Sequence, residues 1–226
     1  MPQEKIRNQI FLAIPWRNTK RKYENIRSEL INKYPLSFII MGREVNQDAN
    51  DLLENIKDKL RSSDYAIFDA TYGNSNVSLE FGFAEGVGIN RIMYLCKHGR
   101  TNSANQDRPI ISDLGGKIYS SYTTEYTLKL LLSSFCKKHD YTVRFERYMS
   151  QYHNPGKKRK RNLSLKIIHV FDERISLRKS EVLQKVKDEQ PGKYTDDELL
   201  EEITSLRDIG LLGCVGGGPN PEYWIE

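Results

Sequence analysis

Short apolar runs alternate with longer segments that carry apolar residues at helical spacing through the first 140 residues of the chain. The apolar runs predict buried strands at 9–15, 36–41, 64–70 and 91–96 and a short edge strand at 116–122. The helical spacing predicts amphipathic helices at 18–34, 48–62, from about 76 to 88, and 124–140. Strands separated by helices of this length predict an α/β domain with a parallel sheet and helices on both faces.

The pattern changes near residue 150. Residues 150–162 are polar, contain a Pro-Gly pair and carry five consecutive basic residues, which are Lys157, Lys158, Arg159, Lys160 and Arg161. We interpret this segment as a linker between two domains. Its basic run either is a solvated connector or contacts a nucleic-acid backbone or another partner.

Residues 163–226 predict a small second domain. Helical patterns occupy 163–174, 179–189 and 195–209, and two short strands follow around a glycine-proline hairpin. Thr195 and Glu198 have the spacing of a capping box. This order of elements resembles a winged helix. The helix in the recognition position is mostly acidic, which favours protein binding or dimerisation over DNA binding, although both stay open.

The charge balance differs between the two parts. The net charge is +5, with 27 basic and 17 acidic side chains in residues 1–161 and 8 basic and 13 acidic side chains in residues 162–226. A basic first part attracts phosphates, nucleotides or nucleic acid, but a solvated lysine-rich surface accounts for it equally well. The predicted domains are therefore 1–149, the linker 150–162, and 163–226.

The remaining composition points to a cytoplasmic protein. No stretch reaches the roughly 20 apolar residues that span a bilayer, and residues 1–16 contain no long apolar run, so we expect neither a membrane segment nor a signal peptide. The three cysteines are far apart, which favours reduced thiols over disulfides. No cysteine and histidine cluster has zinc-site spacing, so we expect no metal.

Glu80 is unusual because it interrupts an apolar, glycine-containing helix. If Asn76 caps that helix, Glu80 lies in the first turn or just beyond it. Burial would then raise the pKa of Glu80, while the helix N-terminus would lower it. Glu80 is either a charge that stabilises the helix start or a catalytic group. Ser78, Gly82 and Gly86 predict a strip suited to close backbone approach.

Ligands of such sheets bind beyond the carboxyl ends of the strands. The polar and aromatic residues predicted at that edge are Pro15, Trp16, Arg17, Arg43, Asp69, Asn74, Asn76 and Lys97. The three cations among them are suited to hold phosphates, although each is also typical of a plain surface. Trp16 either stacks on a base or packs at the strand end.

Three segments carry a family resemblance. The stretches "IFLAIPW", "SSDYAIFDATYGNSNVSLEFGFAEGVG" and "RIMYL" together resemble the nucleoside 2-deoxyribosyltransferase-like family and its TIR-like relatives, over roughly residues 8 to 96. The resemblance implies a flavodoxin-like domain that cleaves or exchanges the N-glycosidic bond of nucleosides, nucleotides or NAD. It places the catalytic glutamate at Glu80 and a supporting acid at Asp69. Pro15 and Trp16 would line the pocket.

One difference from the family's motif narrows the expected activity. Val77 and Ser78 stand where deoxyribosyltransferases often carry a Gly-Thr pair, which favours hydrolase-like or signal-responsive relatives. Some of those relatives carry a winged helix and act as effectors in antiphage systems, including retrons. The resemblance thus implies an oligomer, NAD or a nucleotide as substrate without a further cofactor, and a nucleic-acid or protein partner.

Three functions remain open from the sequence. The first is an N-glycosidase that acts on NAD or a nucleotide through Glu80. The second is a non-catalytic nucleotide sensor whose winged helix passes a signal to a partner. The third is a winged-helix regulator that binds DNA.

Overall fold

The chain forms two compact units. The computed structural model describes residues 5–41, 49–71, 74–96, 119–153, 156–172 and 174–226. The first unit comprises Met1–Lys5, Gln9–Ile31 and Phe38–Phe135, and the second comprises Ile6–Asn8, Asn32–Ser37 and Cys136–Glu226. The main division therefore falls after residue 135 and not at the predicted boundary after residue 149.

The secondary structure up to residue 138 follows the predicted alternation. Its elements are β1 (Ile6–Ala13), α1 (Trp16–Ile31), β2 (Ser37–Ile39), α2 (Ala49–Ser62), β3 (Ser63–Asp69), α3 (Ser75–Gly86), β4 (Asn90–Cys96), β5 (Tyr119–Tyr122) and α4 (Glu125–Lys138). The strands lie in the order β2-β1-β3-β4-β5, and β4 runs parallel to both β3 and β5. This is the strand order of flavodoxin-like sheets. The predicted α/β class is confirmed.

Helices cover both faces of this sheet, as the alternation along β3 shows. Phe68 points to the face that carries α2 and α3, where its ring meets the ring of Phe81 edge-on at 5.1 Å. Tyr65 and Asp69 point to the opposite face, because side chains alternate along a strand. There Tyr65 contacts Phe135 of α4 and Asp69 contacts Tyr23 of α1.

Helix α3 begins earlier than the sequence suggested. Asn74, and not Asn76, is the N-cap, since its side-chain oxygen accepts hydrogen bonds from the backbone N–H groups of Asn76 at 3.0 Å and Val77 at 3.2 Å. Glu80 is consequently the sixth helical residue and lies beyond the first turn. The helix ends at Gly86, and Gly88 at φ +73° makes the tight turn into β4.

The glycine strip of α3 does not pack as predicted. Gly82 and Gly86 are exposed, and a Cβ atom at either position would meet nothing within 4 Å. Val77, Phe81 and Ala84 instead pack α3 against the sheet. Close backbone approach therefore does not explain these two glycines in the described part of the chain.

The second unit is built from helices and a small sheet. After α5 (Asp140–Met149) its elements are α6 (Gly156–His169), β6 (Leu177–Arg178), α7 (Lys179–Glu189), α8 (Asp196–Asp208), β7 (Leu212–Val215) and β8 (Glu222–Ile225). The strands form an antiparallel sheet in the order β6-β8-β7. The predicted linker is wrong from residue 156 onward, because Gly156–His169 is helical and Leu163, Ile167 and Ile168 are buried.

The predicted start of α8 is confirmed. Thr195 Oγ1 accepts a hydrogen bond from the Glu198 N–H at 3.2 Å, and Glu198 Oε2 accepts one from the Thr195 N–H at 2.9 Å. This reciprocal pair is the capping box that the spacing indicated. None of the helices in the described ranges combines the length and apolar character that crossing a bilayer requires.

Candidate functional site

A cavity of about 540 Å³ lies between α2 and α3 of the first unit. Its described lining is mostly apolar, with Leu52, Leu53, Ile56, Leu60, Leu79 and Phe83 beside the polar residues Lys57, Asn76 and Glu80. Most of these residues fall at i, i+3, i+4 and i+7 spacing on each helix, so two matching stripes form the walls. A mainly apolar cavity of this size with a few polar groups is typical of a small-molecule site.

Glu80 lines this cavity, and its carboxyl group has no polar partner among the described residues. No hydrogen bond or ion pair joins it to another residue within the part of the chain that the structure describes. Burial raises the pKa of Glu80 from its ordinary value of 4.5 to about 7. Burial thus outweighs the helix N-terminus in setting the pKa of Glu80.

The position of Glu80 in α3 explains why the helix start has so little influence. The macrodipole acts within the first turn, and Glu80 lies beyond it. A capping role is also excluded by geometry, because Asn74 already satisfies the first N–H groups of the helix. Glu80 is therefore a poorly solvated carboxyl group that neither caps the helix nor forms a described ion pair.

Asp69 lies at the end of β3 and is fully buried. Its Oδ2 accepts hydrogen bonds from the hydroxyl groups of Tyr23 at 2.9 Å and Tyr122 at 2.6 Å. Its Oδ1 accepts one from the N–H of Thr71 at 3.0 Å and another from the Thr71 hydroxyl group. Lys22 donates to the Tyr122 hydroxyl at 3.3 Å.

This network surrounds Asp69 with hydrogen-bond donors, whereas Glu80 has no polar partner among the described residues. An ionised carboxylate offers only acceptors, which matches the four donors around Asp69. Burial first, and the Asp69 charge second, raise the pKa of Tyr23 well above its ordinary value, so Tyr23 keeps its proton and donates it. Asp69 points away from the α2 and α3 face and is not among the described residues that line the cavity. The structure does not bring the two predicted catalytic carboxyl groups together.

The predicted binding residues between β1 and α1 have local partners. Pro15 is buried, and its carbonyl oxygen accepts hydrogen bonds from Thr19 N–H at 3.1 Å and Thr19 Oγ1 at 2.9 Å. Trp16 is half-buried, and Lys20 Nζ lies 4.0 Å from its ring centroid. Arg17 belongs to α1. Pro15 and Trp16 are absent from the described cavity lining, so their substrate-binding roles stay predictions.

The other predicted binding residues divide into three groups. Asn76 lines the cavity together with Glu80, and its substrate-binding role stays a prediction. Asn74 caps α3, which gives its side chain a structural task. Arg43 and Lys97 lie outside the described residues, so their roles as phosphate ligands stay predictions.

Sequence reasoning missed the contribution of α2 to the cavity. The amphipathic pattern at 48–62 predicts a helix whose apolar stripe faces inward, yet Leu53 of that stripe is 39% exposed. Leu60 is fully buried, so the stripe runs from the core to the surface. A broad apolar stripe that begins with two adjacent leucines was the available signal for a cavity wall.

The predicted nucleic-acid contact residues are largely engaged within the second unit. Arg159 binds Glu198 at 2.7 Å, Lys160 forms an ion pair with the buried Glu202, and Arg161 binds Glu146 at 2.7 Å. Lys157 and Lys158 have no acidic partner among the described residues. The basic run therefore neutralises acidic residues of its own unit, including part of the acidic α8.

Replacing Lys160 with alanine is expected to destabilise the second unit by about 2–3 kcal/mol, because the buried Glu202 loses its counter-charge. Tyr148 still donates to Glu202 at 3.2 Å, which limits the loss. Urea unfolding in a Trp16→Phe background measures this effect, since Trp224 is then the remaining tryptophan.

Lys158→Ala is the matched control for this substitution, because Lys158 is an exposed lysine of the same helix. Its expected effect is within about 0.5 kcal/mol. Equally small effects of both substitutions would contradict a structural role for Lys160.

Comparison with known proteins gives partial structural likeness only. No protein-family model matches the sequence, and no curated protein matches it. A 2-desoxiribosyltransferase from Leishmania mexicana is similar in structure, with a TM-score of 0.45 and 16% identity over 58% of this chain and 99% of that one. A CMP N-glycosidase from Clostridium botulinum gives 0.41 and 17% over 56% of this chain and 98% of that one. The function of this chain is therefore inferred from its own residues.

Proposed function

We propose that the first unit is an N-glycosidase that cleaves the bond between ribose C1′ and the base nitrogen of a nucleotide or NAD. The observation that carries the proposal is the Glu80 carboxyl group, which faces an apolar cavity without a described polar partner. The motif resemblance at residues 62–88 supports the choice of this reaction. A structural role leaves this arrangement unexplained, since an ionised carboxyl group that is poorly solvated and has no described polar partner destabilises a fold.

The proposed reaction needs a negative charge beside C1′. When the C1′–N bond breaks, its electron pair leaves with the base, and the sugar acquires oxocarbenium-like positive charge. An ionised Glu80 either stabilises this charge or forms a glycosyl ester through one Oε atom. Water then attacks C1′, and the ester bond breaks where one has formed. The products are a sugar phosphate, or ADP-ribose from NAD, and a proton, and the Glu80 carboxylate is restored.

The apolar side chains around Glu80 strengthen the attraction between its carboxylate and the positive charge that develops at C1′. Opposite charges attract more strongly beside apolar side chains than in water, so the developing positive charge stabilises the Glu80 carboxylate as the bond breaks. The carboxyl group is thus poorly stabilised before the reaction and well stabilised in the transition state. This difference between the two states is what accelerates a reaction.

Asp69 has a positioning role in this proposal. The Asp69 carboxyl group accepts four hydrogen bonds and is not among the described cavity residues, so it is not placed to protonate a leaving base there. Its contacts instead tie together the end of β3, α1 and β5 and hold Thr71, three residues before the N-cap of α3. The proton for a leaving base then comes from water, and none is required for nicotinamide because it leaves from a cationic ring.

Base release from a panel of nucleotides tests the proposal. Purified protein is incubated with NAD, nucleoside and deoxynucleoside monophosphates and the matching nucleosides, and free base is followed by chromatography. The expected result is release of one base or a small set of bases. Tight nucleotide binding without release under any condition would contradict the enzyme and favour the nucleotide sensor.

We propose further that residues 156–226 form a winged helix that binds protein or a second copy of the chain. The succession of α6, β6, α7, α8, β7 and β8 supports this assignment, since three helices are followed by a two-stranded wing. The acidic α8 and the internal pairing of the basic run disfavour duplex DNA as its ligand. A regulated antiphage effector, as the sequence resemblance implies, is consistent with this two-part chain.

A further inference from the structure

Lys57 is a cation on the α2 wall of the Glu80 cavity. Among the described lining residues it is the positively charged one, and its side chain is only 28% exposed. The aliphatic stem of a lysine packs along apolar surface while its ammonium group reaches a polar contact. Lys57 therefore presents an ammonium group at the border between the apolar cavity and solvent.

The partner of Lys57 is easily replaced. Lys57 Nζ lies 2.7 Å from Glu54 Oε1, one turn earlier on α2, and the Glu54 side chain is 62% exposed. Exposed ion pairs of this kind contribute little to stability, because water solvates both charges well. An anionic group of a ligand in the cavity can take the place of Glu54 and gain a charge-assisted hydrogen bond from a less exposed donor.

The ammonium group of Lys57 and the carboxyl group of Glu80 belong to different walls of the cavity, Lys57 to α2 and Glu80 to α3. Burial raises the pKa of Glu80, and among the described residues the ion pair of Lys57 is with Glu54 and not with Glu80. Lys57 therefore does not neutralise Glu80, although both side chains line the same space. A ligand that contacts both needs a reacting carbon at one point and an anion at another.

We propose that Lys57 binds the phosphate of a nucleoside 5′-monophosphate while Glu80 faces C1′, and that Lys57 thereby selects nucleotides over nucleosides. This inference rests on the proposed N-glycosidase function. It adds a specificity-determining residue on α2, a helix in which the sequence singled out no functional residue. The alternative is a lysine that covers apolar surface and takes no part in binding.

Equilibrium binding in a Glu80→Gln background tests the proposal without interference from turnover. Calorimetry compares common nucleoside 5′-monophosphates with the matching nucleosides. Lys57→Gln is expected to weaken monophosphate binding about tenfold and to change nucleoside binding by less than about twofold. Glu54→Gln is expected to strengthen monophosphate binding about threefold, because the competing carboxylate is gone.

Lys166→Gln serves as the matched control. Lys166 is also a helical lysine with an acidic partner, Glu189, at 2.9 Å, and its side chain is 37% exposed, but it belongs to the second unit. Its loss changes the net charge equally, so its expected effect on monophosphate binding is less than about twofold. If Lys57→Gln and Lys166→Gln weaken monophosphate binding by a similar factor, net charge alone explains the loss, and the proposal is overturned.

Two further results would also overturn it. One is monophosphate binding that Lys57→Gln leaves unchanged, and the other is no monophosphate binding at all. Failure of the proposed N-glycosidase function gives a different result. In that case the wild type releases no base, but Lys57→Gln still weakens monophosphate binding.

Discussion

Glu80→Gln is expected to slow base release by about 10³-fold or more. Glutamine has nearly the size of glutamate and keeps a polar end group, so the cavity retains its shape. It cannot supply the negative charge that an oxocarbenium-like sugar requires or form a glycosyl ester. The rate is measured at pH 8 under single-turnover conditions with the best substrate of the panel, so that binding and product release do not obscure the chemical step.

Glu85→Gln is the matched control for this loss. Glu85 belongs to the same helix but is exposed, and its Oε1 lies 3.5 Å from Arg91 Nη2. Its replacement is expected to change the rate by less than about twofold. Undiminished release by Glu80→Gln would remove Glu80 from the chemistry, whereas equal losses in both variants would point to a general effect of charge on α3.

Glu80→Gln is also expected to stabilise the first unit at high pH. A variant that is more stable than the wild type has not lost its activity by failing to fold. The pKa of Glu80 is about 7 in the folded chain, above the ordinary 4.5. The protonated carboxyl group thus favours the folded state fully below pH 4.5, and this contribution is lost as pH rises through 7. Glu80→Gln should be more stable than the wild type by about 1–3 kcal/mol at pH 8.5, with little of this difference at pH 4.5.

Asp69→Ala is expected to cost the first unit about 3–5 kcal/mol of unfolding free energy. The substitution leaves the buried hydroxyl groups of Tyr23 and Tyr122 without their acceptor and frees Thr71 from both of its contacts. Domains of this kind have only about 5–15 kcal/mol of stability in total, so the loss is large. Base release should fall with it, through the displaced start of α3 and not through a missing proton donor.

Urea unfolding in a Trp224→Phe background measures the Asp69 effect, because Trp16 then reports on the first unit. Asp58→Ala is the control, since Asp58 is an exposed carboxylate of α2 that pairs with Arg61 at 3.0 Å. Its expected cost is less than about 1 kcal/mol. Similar costs for both substitutions would contradict the four-donor network around Asp69.

The sequence predicted the elements of the first unit well because their periodicity is strong. Apolar runs of strand length and the amphipathic spacing of α1, α2 and α4 leave few alternatives. The start of α3 was misplaced by two residues, since Asn74 and Asn76 are equally good caps in isolation. Only the backbone geometry shows that the Asn74 side chain accepts the first hydrogen bonds.

The site was harder to predict because it depends on which sheet face each side chain meets. Asp69 and Glu80 follow one another closely in the sequence, yet Asp69 points to the α1 face and Glu80 to the cavity beside α2. Lys57 was missed because a lysine beside an apolar stripe is typical of any solvent-facing helix side. Its role depends on the distance between α2 and α3, which no periodicity encodes.

The basic run was predicted to be part of a linker because its local composition is typical of one. Lys157 to Arg161 follow a Pro-Gly pair, which is typical of a linker. The run is helical because the buried face of α6, which includes Leu163 and Ile167, needs a helix that begins before it. Acidic residues of α5 and α8 then offset its charge.

The pH dependence of kcat/KM for base release by the wild type tests most directly whether the ionised Glu80 carboxylate carries the chemistry. This parameter reports the pKa values of the free protein. With a substrate that has no group titrating in this range, kcat/KM is expected to rise about tenfold per pH unit below a midpoint near 7 and to level off above it. A rate that stays constant or falls between about pH 5.5 and 8 would contradict the account.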